Sequence, residues 1–255
     1  MDPAARRLIV GHTAATVRLR ASLLAYLTAL WQRADYDKLD RYAVPAAAAV
    51  TGTQQRMASM ETAYLAALLT VRAGERVTLN PPDPRSVTVE AIRGVSPQKV
   101  YGRAGETLRW RLSAGDPFAV ASRKALDRVQ VMASTDIQLA RTHTVVSVLA
   151  DAPGVAGYTR VTDGDPCELC ATAATNFYRS SELMPIHDRC SCGVEPVMGD
   201  SFHAAKSVHT GQLKELQAAG ISSAPGDADV AVRDHGEIGP VLTRAGDSFR
   251  GPDDL

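Results

Sequence analysis

All four cysteines of the chain fall between Cys167 and Cys192. They form a C-x2-C pair, then a gap of sixteen residues, and then the pattern H-x2-C-x-C that begins at His187. A two-residue gap lets two thiolates approach one ion at about 2.3 Å, and a second pair of ligands can complete a tetrahedron around it. This spacing constrains the fold more than any other feature, because it predicts a small module closed around one metal ion.

Five side chains compete for the four positions of such a site. We expect Cys167, Cys170, His187 and Cys190 to bind the metal, with Cys192 as a substitute for either of the last two. Cys190 and Cys192 can both point inward only if the backbone bends between them. Zinc is the expected ion because mixed sulfur and nitrogen tetrahedra suit it. Four protein ligands leave no position for a substrate, so we expect one structural zinc ion and no catalytic residue.

Other interpretations of the cysteines stay open at this point. They can be reduced packing residues, a disulfide pair or a thiol redox motif. A redox C-x-x-C opens a helix after a strand, whereas the residues 163–166 before Cys167 are Asp-Gly-Asp-Pro, which is typical of a turn. A nucleophilic pair of Cys170 and His187 would need a third orienting group and oxyanion donors, which the sequence does not indicate.

The composition favours a globular protein without a strong overall field. With 45% hydrophobic and 22% charged residues, the chain can bury a core. Lysine plus arginine equals aspartate plus glutamate at 28 each, so any contact with DNA has to be local. The candidates for a partner or DNA contact are Arg160, Arg179 and Arg189. Charged residues break the first apolar run too early for a membrane span, so we expect a cytoplasmic protein without membrane contact.

The first 150 residues are predicted to be mainly helical. Two apolar faces repeat at helical spacing: Leu23, Leu27, Leu30 and Trp31, and then Met57, Met60, Tyr64 and Leu68. The segment Pro45 to Gln55 is predicted to join two helices. A loop or arm is expected over about residues 74–100, because Asn80-Pro81-Pro82-Asp83-Pro84 forbids a helix there, and a short strand is expected from Val87 to Ala91.

A long helix is predicted to start at Asp116-Pro117-Phe118, with Asp116 as its cap, and to run to about Leu149. The composition changes near residue 151, and one further helix is expected around Gln212 to Ala219. We therefore predict a helical region at 1–150, a metal-binding module at 151–200, and a helix with a loosely ordered tail at 201–255. The predicted fold class is a mainly α N-terminal region with a small α+β, zinc-stapled C-terminal module.

Several motifs together resemble a known family. They are Val100-Tyr101-Gly102-Arg103, Gly157-Tyr158-Thr159-Arg160-Val161, Cys167-Glu168-Leu169-Cys170, Leu183 to Cys192, and Arg233 to Leu242. This set resembles the Mu F-like head-morphogenesis proteins of tailed phages, over about residues 100–250. Where many members have proline after the histidine and arginine between the last two cysteines, this chain has Asp188 and Ser191, and neither change removes a ligand.

The resemblance implies a minor head component made in the host cytoplasm and found in the virion head. Its implied partners are portal protein, scaffold, major capsid protein and, in one alternative, phage DNA. Some relatives are labelled capsid maturation proteases, so an enzyme is the other alternative. The sequence contains no nucleophile elbow and no H-E-x-x-H helix that would supply such chemistry.

Overall fold

The computed structural model describes residues 2–162, 168–174, 176–187, 189–199 and 230–244. The helices are α1 (Pro3–Gln32), α2 (Asp40–Ala73), α3 (Val89–Arg93), α4 (Pro97–Ser113), α5 (Phe118–Leu149) and α6 (Glu168–Ala173). The strands are β1 (Val155–Val161), β2 (Phe177–Arg179), β3 (Gly193–Met198), β4 (Val230–Asp234) and β5 (Pro240–Arg244). This arrangement confirms the predicted fold class of a mainly helical N-terminal region followed by small antiparallel sheets.

The first two helices meet earlier than predicted. A 3-10 turn at Tyr36–Lys38 separates α1 from α2, whereas residues 45–55 lie inside α2, so the predicted joint there is wrong. Pro45 lacks only the N–H that would reach the carbonyl of Arg41, close to the start of the helix. The buried residues Ala46, Ala47 and Val50 hold that stretch against the core, and this packing outweighs the lost hydrogen bond.

The predicted arm over residues 74–100 contains helix where we expected a strand. Val89–Arg93 is α3, with Thr88 as its N-cap and Gly94 ending it at a φ of 67°. The backbone N–H of Val89 donates to the side chain of buried Gln54 at 3.1 Å. The strand prediction was wrong because apolar alternation over so few residues does not distinguish a buried strand from one turn of helix.

Helix α5 begins where the sequence predicted, but Asp116 is not its N-cap residue. Pro117 is the N-cap residue and makes no side-chain capping bond. The carboxylate of Asp116 instead lies 3.4 Å from the guanidinium of Arg111. The helix then runs to Leu149, as predicted.

One hydrophobic core joins helices α1, α2, α4 and α5. Its largest buried members include Leu27, Trp31, Tyr42 and Tyr101. A second core lies between the helices and the first sheet. Its members include Leu65, Leu68, Leu149, Tyr158 and Val194. The first sheet is antiparallel in the order β2-β1-β3, and the second core fixes it against the ends of α1, α2 and α5.

The strands β4 and β5 form an antiparallel hairpin, so the predicted loose tail is wrong for residues 230–244. The hairpin pairs with the segment just before His187 through a bridge between Ile186 and Val241. Its turn carries Glu237, whose carboxylate lies 3.1 Å from Arg93 and 3.2 Å from Arg103. The helix predicted at residues 212–219 lies outside the described residues. Within the described part of the chain, no helix is both long and apolar enough to cross a membrane.

Candidate metal centre

Three cysteines and one histidine come together where the first sheet meets the helices. Cys170 lies on α6, His187 follows the bridge residue Ile186, and Cys190 and Cys192 precede β3. The Sγ of Cys170 is 3.0 Å from Cys192 Sγ, 3.9 Å from Cys190 Sγ and 2.9 Å from His187 Nε2. The three thiols lie within 4.8 Å of one another and could hold a metal ion.

The spacing of the sulfur atoms suits metal ligation better than a disulfide. None of these three cysteines forms a disulfide in the described part of the chain. Bonds of about 2.3 Å at tetrahedral angles place two ligand sulfurs just under 4 Å apart, and a disulfide needs about 2.05 Å. The separation of Cys170 and Cys190 fits the first value, and the 3.0 Å between Cys170 and Cys192 lies between the two values.

The cluster is buried, and the pKa values of its thiols are shifted in opposite directions. Cys170 and Cys190 are each 3% exposed and Cys192 is 2% exposed. Hydrogen bonds from Cys170 and Cys192 hold the pKa of the Cys190 thiol well below its usual range. Hydrogen bonds to Cys190 and Cys192 raise the pKa of Cys170.

A positive charge lies directly against the thiols. Arg160, on β1, is fully buried, and its Nη1 is 3.6 Å from the sulfur of Cys170 and 3.6 Å from that of Cys190. Its Nη2 donates to the carbonyl oxygen of Pro185. The predicted role of Arg160 in contacting a partner or DNA is therefore wrong, because no part of this side chain reaches the surface.

The helical region holds the loop that carries Cys190 and Cys192. Arg141 donates to the carbonyls of Ser191 and Cys192 at 3.2 and 3.0 Å, and Gln138 donates to the carbonyl of Cys192 at 2.9 Å. From α1, Arg20 donates to the carbonyl of Cys190 at 3.2 Å. The chain enters this loop through Arg189, whose φ is 57°, and Cys190 and Cys192 both face the cluster.

A second buried ion pair fixes Arg141 itself. Glu61 is fully buried on α2, and its Oε2 accepts from Arg141 Nε at 2.7 Å and from His12 Nε2 at 2.7 Å. The His12 ring stacks on Tyr64 at 4.1 Å, and Tyr64 donates to the carbonyl of Val194 at 2.8 Å. All three helices α1, α2 and α5 are thereby tied to the strand that follows the cysteines.

The other predicted site residues occupy different surroundings. Cys167 lies outside the described residues. Arg179 is exposed on the edge strand β2. Arg189 is exposed and forms an ion pair with Asp127 of α5 at 2.5 Å. The structure thus brings together Cys170, His187, Cys190 and Cys192, and leaves Arg179 and Arg189 at the surface.

The sequence analysis missed the residues that hold the cysteine loop. Glu61 carried a usable signal, because it falls between Met57 and Tyr64 on a face that is otherwise apolar at helical spacing. A carboxylate in that position predicts a buried cation on a neighbouring helix. Arg141 lies on the buried side of α5 in the same way.

The comparisons with known proteins identify a family. Neither a curated protein nor a solved structure matches the chain. A family model described as VG15 protein matches residues 4–215, which include the helices and the cysteine cluster. The chain therefore belongs to the VG15 family of viral gene proteins, and this membership indicates a phage protein.

Proposed function

We propose that this phage protein is a head-morphogenesis factor and minor capsid component. It acts with portal protein, scaffold and major capsid protein while the procapsid is assembled in the host cytoplasm, and it remains in the virion head. Two findings support the proposal: the membership of the VG15 family, and the motifs around the cysteines that resemble Mu F-like proteins.

The closed cysteine cluster is the observation that carries this proposal. A hydrolytic metal site keeps one position open for water. Here Cys170, Cys190 and Cys192 are each 3% exposed or less, and Arg160 covers them from the sheet side. Such a centre stabilises the fold and has no access for a polypeptide substrate. We therefore assign the function to contacts with other head proteins.

We propose zinc as the ion that this cluster binds. Thiolate and imidazole ligands at tetrahedral spacing select zinc over magnesium or calcium, which prefer oxygen ligands. One ion held by Cys170, His187, Cys190 and Cys192 would join α6, the segment before β3 and, through the hairpin bridge at Ile186, the strand β5. The ion would supply no chemistry other than holding these segments together.

The helical region offers the surface for partners. Large exposed apolar side chains among the described residues lie on helices in all cases but one: Val10, Val17, Tyr26, Val44, Trp110, Leu112 and Phe118 are helical, and Val232 is in the hairpin. Trp110 is 60% exposed, and the Arg111 guanidinium lies 4.8 Å from its ring. Tryptophan and arginine are the residue types that contribute most to protein interfaces. We propose that the α4 end around Trp110 contacts portal or scaffold.

A binding experiment tests this function. The purified chain is mixed with portal, scaffold and major capsid protein of the same phage, and with procapsids, and complexes are separated by sedimentation. We expect binding to portal or procapsids, weakened at least about tenfold in Trp110→Ser. The matched control Val232→Thr, which changes an equally exposed side chain in the hairpin, should bind normally. Absence of binding to all four would overturn the proposal.

The same materials separate the two alternatives. Cleavage of scaffold or capsid protein by the purified chain would identify a maturation protease. Binding to duplex DNA that weakens steeply with added salt would identify an internal head protein that contacts DNA, because counterion release makes phosphate contacts sensitive to salt. Either result, without portal or procapsid binding, would replace the assembly function.

A further inference from the structure

Arg160 lies at a buried position where the desolvation of an arginine side chain is energetically unfavourable. Its side chain is fully buried, and the Nε atom has no hydrogen-bond partner. A guanidinium stays protonated at any pH that a protein experiences. A buried charge needs an opposite charge nearby, since its desolvation otherwise costs several kcal/mol. The groups around Arg160 must therefore supply a negative charge.

The cysteines are the groups that can supply it. Among the described residues no carboxylate forms an ion pair with Arg160. Its polar neighbours are the sulfurs of Cys170 and Cys190 and the carbonyl of Pro185. A carbonyl offers only a dipole, so within the part of the chain that the structure describes thiolate sulfur is the remaining source of negative charge.

This requirement distinguishes the possible states of the cluster. Three neutral thiols, or a disulfide with one thiol, leave the guanidinium uncompensated in the protein interior. Three thiolates without an ion leave a surplus of negative charge. Three thiolates and one neutral histidine around a divalent ion carry one net negative charge, which a single guanidinium balances. A cluster with one thiolate and two thiols carries the same single negative charge, so a guanidinium balances that state as well. The separation of 3.9 Å between the sulfurs of Cys170 and Cys190, which is close to the spacing of two thiolates on one zinc ion, favours the metal-bound state.

We propose that Arg160 is the counter-charge of a centre in which Cys170, His187, Cys190 and Cys192 hold one divalent ion. The inference rests on the proposed metal site and adds the residue that makes its charge tolerable inside the fold. Arg160 does not bind the ion. It is a positioning residue, because it contacts two of the thiols directly and also fixes the carbonyl of Pro185, two residues before His187.

The test compares variants of the full chain in their affinity for zinc. Arg160→Met keeps most of the side-chain volume and removes the charge, and Arg160→Lys keeps the charge and removes the planar fork. The matched control is Arg179→Met, on the neighbouring strand β2 but exposed. Affinity is measured by competition with a chromogenic chelator, and zinc content by plasma mass spectrometry. We expect Arg160→Met to bind zinc about ten- to hundredfold more weakly, Arg160→Lys to fall between it and the natural protein, and Arg179→Met to be unchanged.

A second measurement separates charge balance from ordinary packing. Thermal unfolding is recorded for each variant with zinc and after zinc removal. If Arg160 only packs, Arg160→Met lowers the unfolding temperature equally in both states. If Arg160 is the counter-charge, the loss of stability in Arg160→Met is larger with zinc than after zinc removal, because free thiols can take up a proton when the guanidinium is gone and metal-bound thiolates cannot.

The outcomes also distinguish this inference from the metal site on which it rests. A natural protein that folds but holds no zinc would overturn the metal site and the role of Arg160 together. A natural protein with zinc, and an Arg160→Met variant of equal zinc affinity, would overturn only the counter-charge. If Arg160→Met does not fold, the affinity of Arg160→Lys decides: a value indistinguishable from that of the neutral variant Arg160→Gln would overturn the proposal.

Discussion

The guanidinium of Arg141, on α5, donates to the carbonyl oxygen of Cys192 at 3.0 Å. The two residues lie far apart in the sequence, so the bond joins the helical region directly to the cysteine loop. Arg141 also donates to Glu61 of α2 at 2.7 Å. One buried side chain therefore connects two helices with the segment that supplies two proposed metal ligands.

Replacing Arg141 by methionine should destabilise the whole protein. The change leaves the carboxylate of Glu61 buried with His12 as its remaining partner, and it removes both bonds to the cysteine loop. Breaking a buried pair by removing one partner costs about 3–5 kcal/mol. Urea unfolding checks the value. The control Arg123→Met, exposed on the same helix, should stay within about 0.5 kcal/mol of the natural protein. A loss below about 1 kcal/mol for Arg141→Met would contradict the prediction.

Glu61 should make stability depend on pH in the acid range. Burial acts to raise its pKa, but the charge of Arg141 and the hydrogen bond with His12 outweigh it, and the pKa of Glu61 is lowered. A carboxyl whose pKa is lower in the folded state contributes stability above its unfolded pKa of about 4.3 and loses it as the pH falls through the folded value.

The check is the free energy of unfolding measured between neutral pH and the acid range, in the natural protein and in Glu61→Gln. The variant should be less stable at neutral pH, and the difference between the two proteins should shrink as the pH falls below about 4.3. The exposed control Glu75→Gln should follow the natural curve. A difference that stays constant with pH would show that Glu61 contributes through packing alone.

The sequence predicted those parts of the fold that depend on local pattern. The long apolar periodicity placed α5 correctly from Phe118 to Leu149, because a stripe of that length has one interpretation. The predictions for Pro45 and for the segment from Val87 to Ala91 were wrong, because tertiary packing decides both. Helix α2 continues through Pro45 because the residues that follow it are buried in the core. Helix α3 forms where a strand was predicted, and its first backbone N–H, that of Val89, donates to the side chain of Gln54 in α2.

The candidate site shows the same division. Sequence spacing proposed Cys167, Cys170, His187 and Cys190 as ligands with Cys192 as a substitute, and the structure brings together Cys170, His187, Cys190 and Cys192, while Cys167 lies outside the described residues. It named Arg160 as a candidate for a partner or DNA contact, because the motif beside a cysteine pair does not show which face of the sheet a strand residue lies on. In β1 the residue turned out to face the thiols. Charge balance around a buried cluster depends on groups that folding brings together, so it cannot be predicted from the spacing of residues along the sequence.

Two glycines should respond in opposite directions to alanine. A Cβ at Gly157 would collide with the carbonyl oxygen of Tyr178 and lie 2.5 Å from Phe177 Cζ, because β1 and β2 approach closely there. Gly157→Ala should therefore destabilise the protein by about 1–3 kcal/mol, as overpacking does. Gly52, inside α2, has nothing within 4 Å of its Cβ position. Gly52→Ala should stabilise by about 0.5–1 kcal/mol. Urea unfolding measures both, and a neutral Gly157→Ala would contradict the close approach of the two strands.

Metal content should depend on Cys192 and not on Cys167. The sulfur of Cys192 lies 3.0 Å from that of Cys170, and with Cys190 and His187 the described residues offer four candidate ligands. We expect about one zinc per chain in protein purified without chelator. Plasma mass spectrometry should find this zinc retained in Cys167→Ser and lost in Cys192→Ser.

The two serine variants are matched, because each removes one thiol and adds one hydroxyl. The reverse pattern, with zinc lost in Cys167→Ser and kept in Cys192→Ser, would make Cys167 the fourth ligand and Cys192 a packing residue. The net charge of the centre would be the same in that case, so Arg160 would still balance it. Zinc lost in His187→Ala as well would establish the nitrogen ligand. Zinc kept in His187→Ala but lost in both serine variants would mean four thiolates, and a single buried guanidinium would then leave one negative charge without compensation.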